Sequence, residues 1–131
     1  MNDRIFLYHI LDETKFILDL CSLKSVEEII SDPITQRAVR TSLETIGEAA
    51  KNISPAFRKE HPDFHWKGMI GMRDRLIHHY FGIDWDLVAD VIRDEIPILD
   101  SELTLLLKSE NFYKNKKSWY RVRFIPGYQG F

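Results

Sequence analysis

Apolar residues recur every three or four positions along most of the chain, which is the spacing of one buried face of an α-helix. The pattern predicts a first helix over residues 3–23. It predicts a second long helix that begins at Asp32 and Pro33, because aspartate caps helices well and proline fits the first helical turn. Ser25 and Glu28 have the spacing of a capping box, which predicts a short helix between the two long ones.

The same periodicity continues in the second half of the chain. A third main helix is predicted from Trp66 to about Tyr80, with Gly82 as its C-terminal stop. Asp84 caps the last element, whose apolar stripe keeps its helical phase through Pro97 and so predicts one kinked helix. Four main helices with short connections predict an all-α, up-and-down four-helix bundle with short extra helices.

Composition divides the chain into a body and a tail. The 131 residues are 44% hydrophobic, which suits a single core. The net charge is -2, but residues 112–131 hold five basic and no acidic side chains, so residues 1–111 carry -7. We expect a bundle over 1–111 and a basic, aromatic tail over 112–131. Such an acidic body does not suit a protein that coats nucleic acid through its overall charge, so any RNA chemistry must be local.

The tail and the ends of the chain allow several interpretations. Interleaved aromatic and basic residues suit an RNA-stacking arm, but packing on the protein's own body or a partner's, or an expression-derived extension, is favoured.

No apolar run is long enough to span a bilayer, and the N-terminal residues lack the order of a secretory signal, so a cytoplasmic protein without membrane contact is expected. Cys21 is the single cysteine and is expected to be a buried, inert thiol.

Arg73 occupies a core-facing position in the apolar stripe of the third helix. Burying a guanidinium is costly unless carboxylates or phosphates meet it, so Arg73 either pairs with Glu44 or Glu48 on the second long helix or lines a cleft. We favour the cleft.

Gly47 interrupts the second long helix, which suggests close approach of a neighbouring backbone, although simple tolerance of the glycine is the other possibility.

His78 follows Asp74 by four residues, so the carboxylate can orient the imidazole and stabilise its protonated form. A histidine can move protons at neutral pH. His79 is either a second proton carrier or, as we favour, a solvent-facing neighbour of Arg75. A structural ion pair at the edge of the bundle is the alternative to a catalytic role for these charged residues.

A regular helix would rotate His78 well away from both Arg73 and Tyr80. A compact site therefore requires one of two arrangements. Either the helix distorts before Gly82, or two protomers each present this segment to the other. We favour the dimer.

The segment 73–80 resembles the motif of HepT toxins in the HEPN superfamily, in which Arg, four residues, His, one residue and Tyr follow one another. Segments 45–50 and 71–84 also resemble sequences of that family, and the resemblance covers about residues 3–108. It implies a dimeric four-helix bundle whose interface cleft cleaves RNA without metal, leaving a cyclic phosphate and a 5′-hydroxyl. By this resemblance Arg73, His78 and Tyr80 match the catalytic motif, with Asp74, His79 and Glu48 in support.

The resemblance also implies partners. They are a second copy of the chain, an RNA substrate and a minimal nucleotidyltransferase antitoxin that attaches AMP to Tyr80, in a toxin–antitoxin pair of the type II or type VII kind. No cofactor or metal is expected, because Pro62 spoils the zinc-like spacing of His61 and His65. The alternative function is a non-catalytic partner or substrate-binding subunit of a nucleotidyltransferase. A nucleotide-binding regulator would need a phosphate-cradling glycine loop that the sequence lacks.

Overall fold

The structure is a computed structural model that describes residues 2–109, so the predicted tail at 112–131 lies outside the described residues. All regular structure in the described range is helical. Its helices are α1 (Asp3–Leu23), α2 (Val26–Ser31), α3 (Pro33–Asn52), α4 (Pro55–Glu60), α5 (Trp66–His78), α6 (Trp85–Asp90) and α7 (Ile96–Ser109). A 3-10 turn, Tyr80–Gly82, follows α5, and a π-helical turn, Val91–Glu95, joins α6 to α7.

The helix starts lie where local capping chemistry predicts them. The Ser25 hydroxyl accepts a hydrogen bond from the Glu28 amide at 3.1 Å, and the Glu28 carboxylate accepts one from the Ser25 amide at 2.9 Å. Asp32 Oδ2 accepts hydrogen bonds from the Ile34 and Thr35 amides at 3.1 and 3.0 Å. These bonds satisfy backbone donors that a helix start otherwise leaves unpaired, and the predicted starts of α2 and α3 are confirmed.

The core lies between α1, α3 and the α6–α7 segment. α3 packs against both α1 and α5, and α7 packs against α1. Fully buried side chains come from each of these segments: Ile10, Ile17, Val39, Ile46, Ile92 and Leu103. Each such side chain contributes about 1.5–3 kcal/mol through removal from water. The predicted all-helical bundle is confirmed.

α5 ends two residues earlier than predicted. His79 leaves helical geometry at φ -126° and ψ 40°, and its amide donates the last bond, to the Arg75 carbonyl at 2.9 Å. The Gly82 amide then donates to the His79 carbonyl at 2.9 Å, which closes the 3-10 turn. The expected stop at Gly82 is therefore wrong, because His79 itself serves as the C-cap.

The helix distortion near Pro97 takes the form of a wide turn immediately before it. The Ile96 amide donates to the Val91 carbonyl, five residues back, as in a π-helix. Proline has no amide proton, and its ring clashes with the carbonyl four residues earlier in a regular helix. The wider turn at Val91–Glu95 relieves that clash, so the helix continues from α6 into α7.

Candidate active site

Gly47 and Arg73 mark the point where α3 and α5 come closest. A Cβ atom built on Gly47 would lie 2.6 Å from the Met69 carbonyl oxygen and still closer to the Arg73 Cβ. Only glycine leaves room for this approach. The close backbone contact predicted from Gly47 is present, and it holds the Arg73 backbone against α3.

Arg73 is held by two carboxylates. Its Nε lies 3.0 Å from Glu48 Oε1, and its Nη1 donates to Asp74 Oδ1 at 2.9 Å. Glu44 instead pairs with Arg40, at 3.1 Å. The Arg73 side chain keeps 22% of its surface exposed, and Nη2 contacts no carboxylate among residues 2–109. The guanidinium is thus paired through two nitrogens and partly exposed, and its third nitrogen has no carboxylate partner in the described range.

His78 is the last residue of α5, and it is exposed. In the described part of the chain no hydrogen bond joins it to Asp74, whose carboxylate accepts from Arg73 instead. A guanidinium beside the carboxylate offers a charged donor, and charge-assisted bonds are the stronger kind. Asp74 therefore orients Arg73 in this structure, and His78 stands apart from it.

A single chain does not bring Arg73 and His78 together. α5 is regular from Trp66 to His78, and five residues along a helix correspond to a rotation of about 140°. The distortion before Gly82 begins after His78, so it changes the position of Tyr80 but not the angle between the other two. Tyr80 begins the 3-10 turn, and its side chain lies outside what the structure describes.

Apolar side chains are exposed next to the motif. Ile77, about 40° around the helix from Arg73, is 37% exposed. Phe81, in the turn that follows, is 92% exposed. Exposed apolar side chains in one region mark contact surfaces more often than isolated ones do.

Two cavities lie on the other side of α5. The larger, about 900 Å³, opens between α5 and α7 above the core residues Leu43 and Ile46, and no motif residue lines it. The smaller, about 210 Å³, lies between the end of α5 and α6, and Arg75 and His79 line it. Sequence reasoning placed Arg75 and His79 in solvent as neighbours, which their exposure supports, but it did not detect the cavity beside them.

Other titratable residues lie away from the motif. His65 Nδ1 lies 2.9 Å from Glu95 Oε1, and no group of three or more metal-ligating side chains forms within residues 2–109. Partial burial raises the pKa of the Cys21 thiol, which disfavours the reactive thiolate. No helix in the described range is both long and apolar enough to cross a membrane.

The fold and the helix that carries the motif define a helical bundle of the HEPN type. The chain matches the family model described as Ribonuclease HepT-like over residues 10–106, and it belongs to that family. No solved structure matches it significantly.

Curated relatives include two proteins named Putative RNase. One, from Methanocaldococcus jannaschii, is 42% identical over 105 residues, which cover 80% of this chain and 87% of the relative. The other, from Caldanaerobacter subterraneus, is 41% identical over 107 residues, which cover 82% and 96%. A protein of Thermococcus cleftensis named Probable ribonuclease HepT is 39% identical over 94 residues, which cover 72% and 82%.

Proposed function

We propose that this protein is a metal-independent endoribonuclease toxin whose reaction depends on Arg73 and His78. The ribose 2′-hydroxyl attacks the adjacent phosphate, and the bond from phosphorus to the 5′ oxygen breaks. His78 takes the hydroxyl proton as a general base, and the imidazolium that forms gives a proton to the leaving 5′ oxygen. The products are a cyclic phosphate and a 5′-hydroxyl, and the reaction requires neither a metal nor a cofactor.

The observation that carries the proposal is the state of the Arg73 guanidinium. Glu48 and Asp74 fix two of its nitrogens, and Nη2 is left for a phosphoryl oxygen. A guanidinium already oriented by the protein stabilises charge that develops on phosphate without first having to reorganise. The printed names of the family and of the relatives specify ribonucleases and so support ribonuclease activity.

The proposal includes a homodimer, because one α5 cannot place Arg73 beside His78. A two-fold contact that covers Ile77 would bring a second α5 against the first. Arg73 of one copy would then face His78 of the other across the interface, which would form the cleft for RNA. The exposed apolar surface beside the motif supports a contact at this place.

The proposal also includes an antitoxin that belongs to the minimal nucleotidyltransferases. Tyr80 would be its target for AMP transfer, and the added bulk and negative charge would exclude RNA. The support is positional: Tyr80 begins a surface turn between His79 and Phe81, both of which are exposed.

The first experiment incubates the purified protein, made without antitoxin, with total RNA in EDTA. Arg73→Ala and His78→Ala serve as test variants, and Arg37→Ala and His9→Ala, at exposed positions, serve as matched controls. We expect the parent and both controls to leave cyclic-phosphate ends and both test variants to lose at least about 100-fold in rate. An unmodified parent as inert as the test variants would favour the non-catalytic partner subunit instead.

A mixing experiment tests the dimeric site. Arg73→Ala and His78→Ala subunits are each expected to be inactive alone, but a mixed dimer would retain one Arg73 opposite one His78. We expect cleavage to return on mixing if the two residues act across the interface. Mixed dimers, confirmed by mass spectrometry, that remain inactive would contradict a site shared between copies.

A further inference from the structure

A small cleft lies beside the motif helix, on the flank away from Arg73. It has a volume of about 210 Å³ and lies between the end of α5, the 3-10 turn and α6. Its apolar walls include Met72, Ile83 and Leu87, and Arg75 and His79 line it from α5. This volume is below that of pockets that hold drug-sized ligands, and it suits a single flat aromatic ring.

Arg75 and His79 share one face of α5, because residues four apart on a helix are neighbours. His78 lies about 60° around the helix from Arg75, between Arg75 and the side that carries Arg73. In the proposed dimer, a strand that passes between Arg73 of one copy and His78 of the other therefore continues over Arg75 of the second copy toward the cleft of that copy.

The two arginines differ in their ion pairs. Arg73 is paired with Glu48 and Asp74, whereas Arg75 is exposed and forms no ion pair within residues 2–109. The remaining polar group of the cleft is Asp84. Its Oδ1 accepts a hydrogen bond from the Leu87 amide at 3.1 Å and so caps α6. Arg75 is consequently the group in the cleft that is available to hold a phosphate.

We propose that this cleft is a subsite for one nucleotide of the RNA strand, next to the cleaved bond. The base stacks between the apolar walls, and Arg75 binds the phosphate of that nucleotide, with His79 at the edge of the base. A flipped base can be held by stacking between aromatic or apolar side chains, and Lys or Arg holds the backbone phosphates. The proposal deepens the ribonuclease function proposed above and rests on it.

The test uses short RNA strands with 2′-O-methyl riboses, which bind but lack the hydroxyl that attacks. Each strand carries one abasic residue, and its position is moved along the strand. We expect the parent to lose about tenfold or more in affinity at one position and little at the others, because a stacked base contributes that much. A flat series would overturn the subsite.

Variants of the cleft complete the test. Leu87→Trp fills it, so the abasic residue should then cost no affinity at the sensitive position, and His79→Ala provides a second variant in case Leu87→Trp does not fold. Arg75→Ala should weaken binding to every strand. It should also reduce the slope of log affinity against log salt concentration by about one, whereas the control Arg37→Ala should do neither. An abasic penalty that is unchanged in both Leu87→Trp and His79→Ala would place the base elsewhere.

Cleavage of an unmodified strand, measured in parallel, separates the two proposals. A parent that cleaves but shows a flat abasic series retains the ribonuclease function and loses the subsite. A parent that does not cleave but shows the sensitive position retains the subsite and loses the proposed reaction. A parent that binds none of the strands overturns the subsite.

Discussion

The two sides of α5 differ in how closely the rest of the protein approaches them. On one side, Gly47 lets α3 pack against the backbone at Met69 and Arg73. On the other, α5 faces α7 across a groove of about 900 Å³ whose floor is formed by core residues such as Ile46. The packed side holds the Arg73 side chain in place. On the open side, Arg75 and His79 line the second cavity, of about 210 Å³, and both are exposed.

The difference matters for catalysis because a charge must be held before it can stabilise a transition state. The packed side meets this need for Arg73, whose side chain is 22% exposed and bound by Glu48. Arg75, on the open flank, has no such support among the described residues and can follow a bound phosphate instead. One helix thus offers a fixed arginine and an adaptable one, two residues apart.

The sharpest test of this comparison replaces each arginine by lysine. Arg73→Lys should lower kcat/KM for RNA cleavage by about 100-fold, because an ammonium cannot contact Glu48, Asp74 and a phosphate in one plane. Arg75→Lys keeps its charge at an adaptable site and should change kcat/KM by less than about threefold. Equal losses for the two variants would show that the sides do not differ in function.

The next largest effect concerns packing. Gly47→Ala should destabilise the protein by about 2 kcal/mol, because its Cβ would overlap the Arg73 side chain and the Met69 carbonyl. A Cβ on Gly71, within α5, meets nothing within 4 Å, so Gly71→Ala should stabilise by about 0.5–1 kcal/mol. Urea unfolding of both variants measures the difference. A Gly47→Ala protein as stable as the parent would contradict the close contact.

A smaller effect is expected across the open groove. His65 and Glu95 face each other at 2.9 Å there, with 72% and 51% of their side chains exposed. Exposed ion pairs contribute little, so a double-mutant cycle with His65→Gln and Glu95→Gln should give a coupling of at most about 0.5 kcal/mol. A coupling above about 1 kcal/mol would contradict the comparison, because contacts on the open side of α5 would then be stronger than exposed ion pairs are.

The sequence allowed the elements to be predicted well wherever the cause was local. Ser25, Glu28 and Asp32 act on amides two or three residues away, so their spacing alone located the helix starts. Gly47 was also informative, although Gly71 shows that a glycine inside a helix does not by itself indicate close packing. The end of α5 was misplaced, since His79 and Gly82 both suit a C-cap and local sequence does not choose between them.

The site was harder to predict because its contacts join different helices. Glu44 and Glu48 are one turn apart, and only the offset of α3 against α5 decides that Glu48 meets Arg73. Asp74 could reach either Arg73 or His78, and the guanidinium is the partner it contacts. The cavities depend on the distance between helices, on which periodicity carries no information.

The smallest predicted effect comes from replacing a carboxylate by an amide, at one position on each side of the bundle. Burial between α1 and α3 raises the pKa of Glu13, although the Ser42 hydroxyl, which donates to it at 2.7 Å, opposes the shift. The folded protein therefore holds this proton more tightly than the unfolded chain, and stability falls as pH rises from the ordinary carboxyl range through the raised pKa. Glu13→Gln should remove that loss and stabilise the protein by a few tenths of a kcal/mol at pH 7, with no gain at pH 3. Glu102→Gln, at an exposed position on the groove between α5 and α7, is the control for replacing one carboxylate by an amide. A Glu13→Gln protein that gains stability at pH 3 but not at pH 7 would reverse the sign and contradict the burial.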